Sequence, residues 1–221
     1  MHAFAGEDPG REVGPVSDRP GRHAIVPQTI RYARRHLPHW EVEAGRYFLT
    51  VRCADSLPQS AIGRLRELSA NLTGITASSP QFAAYQREIF RTLEKYLDAG
   101  TGTCPLRTPA AAMILVDEFA ALSDWQCEIP HYSIMPNHWH ALLVPASSCP
   151  HSLSEIMKRL KGRTAKRLRT ALGGTGAVWQ REWFDRWIRD EAEWQRLVGY
   201  IRNNPVKSGI VPRWSEHPWT R

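Results

Sequence analysis

Two histidines one residue apart, His138 and His140, open the apolar run Ala141-Leu142-Leu143-Val144 and follow a Pro136-Asn137 corner. A corner between two apolar stretches predicts two strands joined by a tight turn. In a strand, residues i and i+2 share a face, so the two imidazoles project together while Trp139 turns to the other side. Adjacent imidazoles on a rigid strand make half of a metal site. An isolated His-x-His is more often packing; position just after a turn, both rigid and reachable, favours the metal reading here. No further His or Asp cluster accompanies the pair, which argues against a plain metallohydrolase, and His131 and His151 read as structural or solvent-exposed.

A second pair, Tyr200 and Asn204, is spaced i, i+4 in a stretch, 191–204, whose Trp194, Leu197, Val198 and Ile201 recur with helical periodicity. That spacing stacks the two side chains on one helical face. On spacing alone Tyr200 reads as a core tyrosine with its hydroxyl at the rim. Pro205 is expected to stop the helix at Asn204.

The densest charge lies between the pairs. Ser152 and Glu155 form a capping box, and Leu153, Ile156, Met157, Leu160 and Leu168 supply an apolar stripe. Lys158, Arg159, Lys161, Arg163, Lys166, Arg167 and Arg169 cover the rest, with no acid among them. A solvated helix face usually mixes both signs, so a one-sign face points to phosphates. The net charge of +7 and pI near 9.5 agree with a polyanionic partner. Further on, 178–188 reads as a strand with Arg181 and Arg186 between tryptophans, whose rings either fill the core or stack on unpaired bases.

Stepping along the chain, 45–53 predicts a first strand, 61–71, 82–97 and 109–122 predict helices, and 125–135 and 138–144 predict the histidine hairpin. Gly100-Thr101-Gly102 lacks the remainder of any phosphate-loop fingerprint and reads as a turn. The expected organisation is a disordered tail over 1–24, one domain over 25–211 with a helical insertion at about 58–122, and a short tail over 212–221. The first 21 residues lack the apolar core of a secretory signal, no stretch reaches the length of a membrane helix, and four scattered cysteines form no Cys-x-x-Cys pair. A cytosolic chain with free thiols is expected.

The ordered set Met135-Pro136-Asn137-His138-Trp139-His140, the basic helix, Val178-Trp179-Gln180-Arg181 with Asp185-Arg186, and Tyr200-Ile201-Arg202-Asn203-Asn204-Pro205 resembles the single-tyrosine HUH transposases of the IS200-like family. It is most similar to the branch associated with repetitive extragenic palindromes (REP). Tyr47-Phe48-Leu49-Thr50-Val51-Arg52 and Leu97-Asp98-Ala99-Gly100 extend the resemblance to about 45–211. The resemblance implies an α+β, ferredoxin-like antiparallel sheet with helices on one face. It also implies His138, His140 and Asn204 as ligands of Mg²⁺ or Mn²⁺ and Tyr200 as the nucleophile. Asn204 stands where insertion-sequence relatives carry Gln. The implied reaction is nicking and joining of single-stranded DNA beside a hairpin through a 5′-phosphotyrosine, with Lys158, Arg159, Lys161, Arg163, Lys166, Arg167, Arg181 and Arg186 contacting DNA. The expected setting is the bacterial cytoplasm, at the nucleoid, as a monomer with a dimer left open. The competing reading is a non-catalytic hairpin binder of the same fold.

Overall fold

The computed structural model describes residues 29–34, 38–72, 75 and 79–221. The tail expected over 1–24 lies outside them. Its centre is β3 (Arg46–Arg52), which pairs on one side with β5 (His138–Pro145) and on the other with β6 (Phe184–Ile188); β4 (Cys127–Met135) completes the sheet beyond β5. Every pairing is antiparallel. Numbered within the sheet, the spatial order is 2-3-1-4, the ferredoxin-like order. The β4–β5 hairpin turns at Pro136 and Asn137, as the corner predicts.

Tyr47, Leu49 and Val51 point to one face of β3, and Phe48, Thr50 and Arg52 to the other; nearly all are buried. A strand apolar on both faces needs cover on both. Helices α3 (Pro109–Ala120) and α4 (Leu153–Leu172) cover the first face through Leu115, Phe119, Ile156 and Leu160. The second is covered by α1 (Gln59–Ala70), α2 (Pro80–Leu97) and α5 (Glu191–Lys207) through Leu65, Ile89, Leu93, Val198 and Ile201. Helices therefore flank the sheet on both faces, where the resemblance implies one. The insertion between β3 and β4 contributes to both layers.

Two further boundaries differ from expectation. A hairpin of β1 (Thr29–Arg34) and β2 (Pro38–Val42) precedes the first expected strand, in a stretch where arginines and Pro38 obscure any apolar alternation. The α5 helix also runs through Pro205 to Lys207. A proline one turn from a helix end forfeits a single N–H bond, and the end is closed by Ser208 N–H donating to the Asn204 carbonyl at 3.0 Å. No helix among the described residues is long and apolar enough to cross a membrane.

Two buried polar ties join the hairpin to the sheet. The Tyr47 hydroxyl accepts from Val42 N–H at 2.9 Å and donates to its carbonyl at 3.1 Å. A Cβ on Gly45 would lie 2.5 Å from that hydroxyl, so the turn requires glycine there. His39 on β2 pairs through Nδ1 with Asp185 of β6, lies 3.4 Å through Nε2 from Glu182, and stacks on Trp183. Burial would lower the His39 pKa, but the two carboxylates outweigh it and raise it to about 9. A histidine charged further into alkali when folded than when unfolded contributes stability below its unfolded pKa of about 6.5 and loses it as pH rises through the folded value. Urea unfolding of wild type and His39→Gln should therefore differ most at pH 6 and converge by pH 10. A difference that grew with pH would contradict the ion pair.

Candidate active site

His138 and His140 lie on β5 opposite Arg52 and Thr50 of β3, on the face covered by α2 and α5, and both are fully buried. Their orientation is fixed from behind. Asn137 Nδ2 donates to the Thr101 carbonyl at 2.9 Å and reaches the Leu97 carbonyl at 3.5 Å. Carbonyls only accept, so the amide cannot be flipped, and its oxygen is the group 2.7 Å from His138 Nδ1. His138 must then donate from Nδ1 and carry its lone pair on Nε2. His140 Nδ1 is held by the Thr50 hydroxyl at 2.9 Å. The two Nε2 atoms are left facing each other, 3.1 Å apart. Burial lowers the His138 pKa to about 3 and that of His140 well below the usual value, with Lys207 reinforcing both. Both rings are neutral at pH 7, the state a metal ligand needs.

The loop behind Asn137 is tied to the end of β3. Thr101 donates its hydroxyl to the Ser56 carbonyl at 2.5 Å, and Thr103 N–H donates to the Asp55 carboxylate at 2.7 Å. Gly102 has φ +92°, and a Cβ there would meet the Asp55 carbonyl oxygen at 2.8 Å. The stretch read as a turn is thus a turn that serves the site.

On α5, Asn204 Nδ2 donates to the Tyr200 hydroxyl at 3.3 Å, while Asn204 Oδ1 is buried without a hydrogen-bond partner among the described residues. The half-buried Tyr200 ring lies edge-on to His140 with centroids 5.3 Å apart, and against Phe48 and Phe90. From α2, Glu94 brings Oε1 to 3.5 Å from His140 Nε2; it is buried, and neither carboxylate oxygen accepts a hydrogen bond. Burial raises the Glu94 pKa to about 8, with Asp98 adding and Lys207 opposing.

The buried polar atoms here are the facing Nε2 atoms of His138 and His140, the orphaned amide oxygen of Asn204 and the nearby Glu94 carboxyl. Buried acceptors are costly unless something positive satisfies them. Among the described residues, no three His, Cys, Asp or Glu side chains form a metal cluster, so a third ligand beside the imidazoles would have to come from another residue type, and the orphaned Asn204 amide oxygen is the candidate. That mixed nitrogen and hard-oxygen set fits Mg²⁺ or Mn²⁺.

His138, His140, Tyr200 and Asn204 are therefore brought together. The basic residues of α4 lie apart, across the sheet, Arg181 and Arg186 lie beyond that helix, and several are engaged. Arg163 reaches Glu118 of α3 at 2.5 Å, and Arg167 reaches Asp117 and Glu118 at 2.6 and 3.0 Å. Lys161 donates to the carbonyls of Gln180 and Arg181, Arg159 lies over the Trp125 ring, and Arg186 pairs with buried Glu193. Lys158, Lys166, Arg169 and Arg181 are exposed and have no ion pair among the described residues. His131 approaches the Arg221 carbonyl and His151 stacks on Trp125, both outside the cluster.

Thr50, Asn137 and Glu94 have no place in the sequence reading of the site. Asn137 adjoins His138 and could have been noticed as a side chain able to fix its tautomer. Glu94 hides in an ordinary amphipathic helix, betrayed only by sitting beside the Ile89, Leu93, Leu97 stripe.

Over residues 118–204, less than half of the chain, the sequence matches the family described as Transposase IS200 like. The matched stretch holds His138, His140, Tyr200 and Asn204, which agrees with the family resemblance read from the motifs. A solved REP-associated tyrosine transposase bound to a REP hairpin is 18% identical, with 86% of this chain and 81% of that one covered at a TM-score of 0.47. An uncharacterized protein of Haemophilus influenzae is 26% identical over 101 residues. That similarity covers 37% of this chain and 56% of the Haemophilus protein.

If the lone pairs await a cation, Mn²⁺ at a hundredfold its Kd should stabilise the protein by about 2.7 kcal/mol. His138→Ala and Asn204→Ala should each lose most of that gain. Thermal melts with and without Mn²⁺ would show it, and an undiminished rise in both variants would place the cation elsewhere.

Proposed function

We propose that this chain is a transposase that cuts and rejoins single-stranded DNA beside a hairpin, using Tyr200 as nucleophile and a divalent cation held by His138, His140 and Asn204. The observation that carries the reading is Tyr200 packed against His140, one of two neutral histidines whose Nε2 atoms face each other across 3.1 Å. The match to the IS200-like family over the same residues supports a transposase role.

Mg²⁺ or Mn²⁺ bound there would neutralise a non-bridging phosphate oxygen and polarise the phosphorus. The chain's own groups do the rest. Asn204 Nδ2 donates to the Tyr200 oxygen, orienting its lone pair and favouring the phenolate. Phe48 and Phe90 fix the ring. Attack by the Tyr200 oxygen forms an O–P bond and breaks the bond from phosphorus to the 3′ oxygen. The phenolic proton is replaced by phosphorus, and the departing 3′ oxygen gains one, leaving a 5′-phosphotyrosine and a free 3′-hydroxyl. The phosphoester is conserved, so a hydroxyl on another strand can reverse the step without ATP. Hairpin contact is assigned to the exposed Lys158, Lys166, Arg169 and Arg181, with Lys161, Arg163 and Arg167 shaping the surface beside them.

Incubation with labelled hairpin oligonucleotides carrying single-stranded flanks, in Mn²⁺ or Mg²⁺, should yield a denaturation-resistant adduct on Tyr200. Tyr200→Phe should abolish the adduct and leave hairpin affinity within about twofold; an unchanged adduct would remove Tyr200 from the chemistry. Binding without any adduct, across metals and hairpins, would favour the non-catalytic binder. Reversing Lys158, Lys166 and Arg169 to Glu should flatten the salt dependence of binding by up to about three phosphate contacts. An unchanged slope would move the DNA off α4.

A further inference from the structure

Beside the histidines, on the same face of the sheet, a small cavity of about 60 Å³, partly open to solvent, is lined by Thr50, Arg52, Leu93, Glu182, Trp183 and Phe184, among others. Thr50 is the residue that holds His140, and Arg52, two residues along β3, stands opposite His138 in register. The cavity and the histidine site thus share a wall.

Arg52 is the anomaly. It is only 9% exposed, its Nη1 has no hydrogen-bond partner, and no carboxylate pairs with it among the described residues. A buried guanidinium without an anion or acceptor is expensive. Burial lowers its pKa to about 10, which leaves it charged at neutral pH. Its backbone is pinned, since the Arg52 carbonyl accepts from Gln180 N–H at 3.0 Å and Cys53 bridges to Trp179. Trp183 brings a second buried, unpartnered donor, its indole N–H. The Trp183 ring is itself occupied by His39 at 4.3 Å and by the Lys161 ammonium at 5.2 Å. What the cavity offers is therefore two unpartnered donors between apolar walls, with the Glu182 carboxylate, which also faces His39, as an acceptor in its lining.

A phosphate would use the charge and waste the walls contributed by Leu93 and Phe184. A nucleobase uses both, being a flat, largely apolar body with acceptors along its edge. We propose that this cavity takes a base unstacked from the single strand next to the cleaved phosphate, and that Arg52 selects guanine, whose O6 and N7 present two acceptors on one edge. This rests on the reading of the chain as a single-strand DNA enzyme. It adds a sequence-reading pocket distinct from the basic helix.

The test is equilibrium binding, which needs no cleavage. Fluorescence anisotropy is read with twelve-residue oligothymidylates carrying one dG, one 7-deaza-dG, one abasic site, or one methylphosphonate linkage. A single dG should tighten binding about thirtyfold, the middle of the range for one bidentate base contact. The 7-deaza-dG and abasic oligomers should lose that gain. Arg52→Met should lose the dG preference even where its affinity for plain oligothymidylate falls, and Trp183→Phe should reduce the preference, with thermal midpoints confirming that both variants fold. A dG preference undiminished in Arg52→Met would overturn the proposal. So would a loss produced by the methylphosphonate and not by changing the base, which would make the cavity a phosphate site. A dG preference without any Tyr200 adduct would keep the pocket while removing the catalytic reading, so the two can fail separately.

Discussion

The Nε2 atoms of two neutral imidazoles, His138 and His140, are held 3.1 Å apart in the buried interior, each ring oriented through its other nitrogen. Much of the surrounding structure works to hold them there. His138 is turned by Asn137, Asn137 by two carbonyls of the 97–101 segment, and that segment by Asp55 and Ser56 at the end of β3. His140 is turned by Thr50 on the same central strand. One chain of contacts ends on β3 and the other on the turn just after it, so the central strand and its exit are also the reference against which the two imidazoles are set. Outer contacts of this kind decide the tautomer and angle of a ligand as much as the ligand itself.

The sheet divides the labour between its faces. One carries Tyr200, the histidines and the Arg52 cavity beneath α2 and α5; the other carries α4 with its lysines and arginines. A strand of DNA that serves both must pass around the rim of the sheet. The basic helix is less basic in place than in sequence, because Glu118 and Asp117 of α3 take up Arg163 and Arg167. The helical insertion thus neutralises part of one face and, through Phe90 and Glu94, roofs the centre of the other.

What the sequence discloses follows from how local each signal is. The His138 and His140 pair, the turn before it, the capping box at Ser152 and the stacking of Tyr200 on Asn204 are all set by neighbours within four residues, and each is recovered. The strand order follows once the elements are placed. Long-range pairings were not legible. The partners of Arg163 and Arg186 lie on other elements, Glu94 meets His140 only after α2 folds across the sheet, and the arginines of β1 and the proline opening β2 hide any period. Pro205 misled because the rule for helix stops weighs an interior proline, and this one falls in the last turn, where a single lost bond is tolerated.

The final residues of the chain have a consequence for assembly. Ile134 N–H donates to the Trp219 carbonyl and Arg221 N–H to the Tyr132 carbonyl, both at 2.9 Å, while the Ser133 and Thr220 hydroxyls meet at 2.8 Å. These bonds satisfy the outward backbone groups over Tyr132 to Ile134, where β4 would otherwise present a bare edge inviting another strand to join. A second strand extending the sheet along that stretch would have to displace those residues first and replace each bond it broke.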